Sequence, residues 1–340
     1  MNDDYLWDGS GSPDPELQRL ERLLGRFGHN RRAPDFRLAV TPIRTASPAR
    51  ARRFAWPIAV AATVVIAAAA LWGWFFLHRN EWIVADLNGS PTIGGQAVTR
   101  RGQWQIGEKL ETDAHSRVQL SVNGLGIIDV DPDSRLTLLK SSSDEQQIRL
   151  DRGTIRAQIV APPYVFLVHT PTAYAMDMGC AYTLHVAEDG SSLLRVTVGW
   201  VDLQRGFRQS LVPAGAAAES RPGIGPGAPY FEDAPPAFRD ALQVINFNQT
   251  DSNARSAALA TVLSEARAQD AFTLLNLFRR VEASDRGRLY DRLAQLILAP
   301  RGASREGAIA GDWRALDPWW DAVGVGHPKK GHRKPPVIKE

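Results

Sequence analysis

Apolar and polar positions change rhythm several times along this chain, and each rhythm predicts a different element. Near the start, Leu17, Leu20, Leu24 and Phe27 recur at spacings of three and four, which makes one apolar stripe on a helix. Ser12 ahead of Pro13, Asp14 and Glu16 supplies a capping hydroxyl, a proline in the first turn and acids at the positive end of the dipole. The spacing predicts a helix over 13–27 that stops at Gly28. One helix of this length is marginal in water. Its stripe, with Tyr5, Leu6 and Trp7 just before it, must fold back, lie on a membrane or meet a partner. Residues 30–53 hold seven arginines and three prolines without periodicity, which reads as a flexible basic linker.

From Phe54 to Leu77 the chain has no charged residue and no Asn or Gln. About 20 apolar residues rising 1.5 Å each cross a hydrocarbon core of about 30 Å, so 54–77 is predicted to be a transmembrane helix. Pro57 lies near its start, where a missing N–H costs least, and Trp56, Trp72, Trp74 and Trp82 bracket it as interfacial anchors do. A secretory signal peptide carries only a short charged region before its apolar core, whereas here the whole of 1–53 precedes the run. Arg31, Arg32, Arg37, Arg44, Arg50, Arg52 and Arg53 stand before the span and only Arg79 follows closely. The positive-inside rule then puts the N-terminus in the cytoplasm and the longer C-terminal part outside.

Beyond the membrane the rhythm becomes two. RVQLSV, SRLTLL, QQIRL, TIRAQIV, YVFLVHT, AYTLHV and LLRVTVGWVDL alternate or run apolar, with DPDS, SSSDE, DRG, APP and EDGS between them. Many short strands at such spacing predict an all-β domain over 81–220. A Gly/Pro-rich hinge over 221–235, containing RPGIGPGAP, closes it. The helical period returns in AFRDALQVINF, SNARSAALATVLSEARA, DAFTLLNLFRRV, RGRLYDRLAQLIL and DWRALDPWWDAV, predicting a small helical domain over 236–324. Residues 325–340, basic and without core residues, read as a disordered tail. The fold class expected is mainly β with α: a short cytoplasmic helix, one transmembrane helix, an all-β roll or sandwich and a helical C-terminal domain.

Composition narrows the function. The 340 residues carry a net charge of +3 that is spread along the chain, with no basic helix interleaved with aromatics, so direct nucleic-acid binding is not indicated. The chain has one cysteine, Cys180. An exported domain without a disulfide rests on an ordinary apolar core, and a Cys-based zinc cluster is excluded. No Gly-x-Ser-x-Gly elbow, His-Glu-x-x-His pair or Walker loop occurs; neither catalysis, metal nor cofactor is expected.

Three stretches carry a resemblance. LDRGTIRAQIV, with Gly153 at a bend between two strands, is followed by FLVHTPTAYAMDMGCAYTLHV, with its Thr170-Pro171 step and a small-residue corner at Gly179. RVTVGWVDLQ and LVPAGAAA close the pattern with Gly199 and Gly215. With SRVQLSVNGLGIIDVDPDSRLTLL ahead of them, they resemble in order and spacing the FecR family, the periplasmic sensory domain of bacterial transmembrane signal regulators. The resemblance implies two partners: an extracytoplasmic-function sigma factor held by the N-terminal segment, and an envelope or outer-membrane signalling protein outside. The residues assigned to sigma-factor contact are Tyr5, Leu6, Trp7, Leu17, Leu20, Leu24 and Phe27. Set against this stands a different class, an envelope binding or scaffolding module whose N-terminal segment is only a tether.

Sharper chemistry has blander competitors. Cys180 lies near His169 and His185 in sequence, as a nucleophile pair would, but its place in an alternating strand favours a packed cysteine. Asp129, Asp131 and Asp133 alternate like the opening of a calcium loop, yet Ser134 and Lys140 stand where that loop needs Gly and Glu; a strand-joining turn accounts for them. PGIGPG lacks the strand and helix that flank a phosphate loop.

Overall fold

The computed structural model describes residues 82–98, 100–122 and 124–324, together with Arg19. The expected N-terminal helix with its partner-binding residues, the basic linker, the apolar run 54–77 and the basic tail lie outside the described residues. Among the described residues no helix is long and apolar enough to cross a membrane. The described residues from Trp82 to Gly324 form mainly β sheet followed by helices.

Its strands in chain order are β1 (Trp82–Asn88), β2 (Thr92–Ile93), β3 (Gln96–Ala97), β4 (Gly102–Trp104), β5 (Lys109–Glu111), β6 (Arg117–Val122), β7 (Gly126–Val130), β8 (Arg135–Ser142) and β9 (Glu145–Ile159). Then follow β10 (Phe166–His169), β11 (Tyr174–Asp177), β12 (Ala181–Val186), β13 (Ser192–Val198), β14 (Trp200–Arg205), β15 (Arg208–Pro213), β16 (Ala216–Arg221), β17 (Gly225–Pro226) and β18 (Tyr230–Phe231). They form two sheets. In one, β4, β1, β6, β7, β9, β12, β13 and β16 are neighbours, with β17 and β18 on β16. In the other the order is β3, β2, β5, β8, β9, β10, β11, β14, β15. All these pairs are antiparallel except β9 with β10.

β9 belongs to both sheets, and this corrects the strand, turn and strand expected around Gly153. Residues up to Arg152 pair with β8, and Gly153 onward pairs with β12. At the crossing Gly153 has φ +95°, and a Cβ there would stand 2.1 Å from Ser134 Oγ. Only glycine reaches that conformation at such close approach without strain. Ser134 Oγ accepts from Thr154 N at 3.0 Å and so fixes the corner. Between the sheets the inward residues alternate as expected: Val118, Leu120 and Val122 of β6 are buried while Arg117 is exposed.

Trp82 corrects a second expectation. It is 1% exposed, packs edge-on against Trp104 at 5.5 Å, and donates from its indole nitrogen to Gln146 Oε1 at 2.7 Å. It is a core residue of the β part, and a buried indole whose N–H is satisfied has no need of a membrane interface.

The Gly/Pro stretch is the third correction. Gly225 and Pro226 pair with Arg221 and Ser220, and Tyr230 and Phe231 pair with Ala217 and Ala216. Residues 225–229 are buried. Six α-helices follow among the described residues: α1 (Pro236–Phe247), α2 (Ser252–Glu265), α3 (Ala271–Leu277), α4 (Arg286–Leu296), α5 (Arg305–Ala310) and α6 (Asp317–Ala322). They share a core of Phe238, Leu242, Leu259, Phe278, Leu289 and Trp319 among others. The helix α5 was not expected; Ser304, whose Oγ accepts from Gly307 N at 3.1 Å, and Glu306 in its first turn are the start signal that marks it.

Candidate functional site

Cys180 sits just before β12 and is 3% exposed. Its thiol donates to the Asp177 carboxylate. Burial and the neighbouring Asp177 charge push the thiol far up, so the nucleophilic thiolate is not available. His169 bonds with Gln147 at 3.0 Å and His185 with Thr154 at 2.8 Å; neither is the thiol's partner. The exposure that a cysteine-dependent enzyme needs is missing at this position. Burial raises Asp177 itself to about 6, against hydrogen bonds from Cys180 and Gly179 that pull it down. The Tyr182 hydroxyl is buried close by without a partner.

The acidic run takes the bland reading. Asp131 to Ser134 joins β7 to β8, with Asp133 at φ +56°. Asp131 is tied to Arg156 at 2.7 Å. No group of three or more His, Cys, Asp or Glu side chains fit to hold a metal ion exists among the described residues.

What sequence reasoning missed is the seam where the β15 edge of the sheet meets the helices. Trp200 at the start of β14 packs on Phe272 of α3 at 5.5 Å, and Phe272 packs edge-on against Trp320 of α6 at 5.6 Å. Beside this aromatic file lies a cavity of about 350 Å³ walled by Leu211, Leu275, Leu316 and Trp320, with Gln209, Asn276, Arg279, Arg314 and Asp317 among its polar groups. On the same sheet, Asp202 of β14 is 1% exposed. One carboxylate oxygen accepts from Gln209 at 2.8 Å and the other is buried without a partner. Burial raises it to about 6. The Trp-Trp pair at 319 and 320 is the available signal: Trp319 is fully buried in the helical core against Tyr290, while Trp320, half-buried at the margin of the same core, packs on Phe272, the residue that also meets Trp200 of the sheet.

Residues 108–202 match the family described as FecR protein. This stretch, from β5 to the middle of β14, is a FecR domain. Two solved structures of a candidate anti-sigma factor from Parabacteroides distasonis are similar, each at 14% identity and a TM-score of 0.33. Each similarity covers 39% of this chain and 63% or 62% of the solved one, so the chain spans less than two thirds of that length. No curated protein matches the chain.

Proposed function

We propose that the chain is a signal regulator of the FecR type, anchored in the bacterial inner membrane by residues 54–77. In this reading the N-terminus is cytoplasmic and the FecR domain with its helical extension is periplasmic. The observation that carries it is the FecR domain at 108–202, placed in sequence after an apolar run with arginines on its N-terminal side. The cytoplasmic segment holds an extracytoplasmic-function sigma factor through Leu17, Leu20, Leu24 and Phe27, with Tyr5, Leu6 and Trp7 as flanking contacts. An envelope or outer-membrane protein engages the periplasmic part. Control is by occlusion: a ligand that favours one state of the outer unit changes how often the stripe covers the sigma surface, which requires different affinities for the two states. No bond-breaking step is involved.

The test is co-purification from membranes of the native host, using the tagged full-length chain and a variant carrying Leu20→Asp and Leu24→Asp. The proposal expects a sigma factor with the native chain and its loss with the variant. Recovery with neither leaves the chain without an actuator and favours the competing reading, a binding or scaffolding module on a membrane tether.

A further inference from the structure

The geometry points to a binding site for a phosphate group in the cleft between the β14–β15 hairpin tip and the helices. Four arginines reach this cleft from three places: Arg208 on β15, Arg255 on α2, and Arg279 and Arg280 just after α3. The cleft has a volume of about 330 Å³, at the lower end of the range for small-molecule sites.

None of the four makes an ion pair among the described residues. The groups that hold them are neutral. Arg280 donates to Pro226 O at 2.7 Å, to Gln209 O at 2.9 Å and to Ser210 Oγ, while its Nε is buried without an acceptor. Arg255 donates to the Arg280 carbonyl, and Arg208 reaches Asn246 O at 3.4 Å. Arg279 lies over the Trp313 ring at 5.1 Å. The one acid on the cleft wall, Glu282, is exposed.

Such an arrangement is costly when empty. Like charges crowded into a partly desolvated cleft repel, and backbone carbonyls fix their positions without neutralising them. Burial and the Arg208 charge pull Arg280 down to about 9, and burial with the Arg255 charge lowers Arg208; at neutral pH Arg280 still carries its proton. A dianion with several oxygens relieves all of these terms at once, and planar guanidinium forks match phosphate oxygens in pairs. A carboxylate group offers half the charge and two oxygens at one point, and a dicarboxylate holds its two charges at separate ends instead of on one centre. On the rim stands Phe207, fully exposed at the hairpin tip, an apolar face available to an organic group on the same ligand.

The test uses the purified full-length chain in detergent, with thermal shift and calorimetry at constant ionic strength. The probes are inorganic phosphate, phenyl phosphate, and succinate as a dicarboxylate control. The site predicts a saturable rise in melting temperature with phosphate, absent with succinate. Affinity should fall at least tenfold in Arg255→Gln and in Arg208→Gln. The same variants measured without phosphate should melt close to the native chain, because each gives up one hydrogen bond to a backbone carbonyl but also removes a repelling charge; that control separates lost binding from lost folding. Tighter binding of phenyl phosphate, reduced in Phe207→Ala, assigns an organic phosphate; equal binding assigns the free ion. Absence of a saturable shift, an equal response to succinate, or undiminished binding in both arginine variants overturns the proposal.

Discussion

Gly153 shows how one residue sets the path of the FecR domain. A Cβ there would meet not only the Ser134 hydroxyl but also Ser134 Cα at 2.4 Å, a backbone atom that cannot swing aside. The φ of +95° adds strain for any L side chain. Gly153→Ala is therefore expected to cost about 3 kcal/mol or more, a drop of about 10 °C in melting temperature for a unit of this size; a thermal melt of the variant checks it. The buried acid Asp202 makes a different kind of statement. Its folded pKa, about 6, lies above its unfolded value of 3.8. The native state thus keeps a proton that the unfolded chain releases across that window, and stability declines as pH rises through it. His169 has the opposite sense: burial lowers it from 6.5 to about 4, so the unfolded chain gains protons first and stability declines as pH falls through that range. A pH profile of the native chain mixes these two with Asp177, which burial also raises to about 6. The difference between the native chain and Asp202→Asn isolates the acid. Urea midpoints should show the variant more stable by about 1 to 3 kcal/mol near neutral pH, with the advantage vanishing near pH 4. A difference that does not change with pH would show that Asp202 ionises freely in the fold.

At the scale of elements, the Gly/Pro stretch behaves opposite to its composition. Asn246 of α1 accepts from Ala228 N at 2.8 Å and donates back to Ala228 O at 3.4 Å, while Ser210 Oγ donates to Gly227 O at 2.6 Å. Gly227 is required by this closeness, since a Cβ would lie 2.7 Å from Asn246 Nδ2. Asn246→Ala strands a buried N–H and is expected to cost about 2 to 3 kcal/mol, with faster protease cleavage inside residues 221–235 as the readout. Unchanged cleavage would mean that strand pairing alone holds the stretch. The same contrast explains what was legible beforehand. Strands such as β6 were readable because one face is wet and one is buried, so period two is written into side-chain type. In β9 the buried positions are Gln146, Ile148 and Leu150, then Ile155, Ala157 and Ile159. The alternation changes phase at the corner, and a local pattern reports that as two strands with a turn. Glycine and proline likewise imply flexibility when taken alone, because the neighbours that immobilise them lie 17 or 18 residues away. The seam left even less trace: Trp200 and Trp320 are ordinary partly buried aromatics until the fold brings both to Phe272.

For the molecule beyond residue 82, the question is whether the FecR part and the helices are two cooperative units or one. The β sandwich and the helices have separate apolar cores, as two autonomous domains would. The connections between them run from fully buried to exposed, with the Asn246 contact the most enclosed. They comprise the Trp200, Phe272 and Trp320 file, the Asn246 clamp on Ala228, and Arg280 donating to Pro226 and Gln209. Arg267 adds bonds to Asp270, which is fully buried, and to Asp233 just after β18. Opening the seam would leave Arg280 and Asn246 without their partners while exposing aromatic surface, so neither part can unfold alone without destabilising the other. The expected outcome is one calorimetric transition for residues 82–324, with calorimetric and van't Hoff enthalpies in agreement. Trp200→Ala, which removes the sheet's indole from the file, should lower the melting temperature of both parts together by several degrees. If the helices instead melt first and the sandwich later, at a temperature unmoved by the substitution, the seam is a contact between independent domains. Binding at the helical surface would then stabilise the helices alone, whereas a single transition means that a ligand bound to the helices raises the stability of the sheet as well.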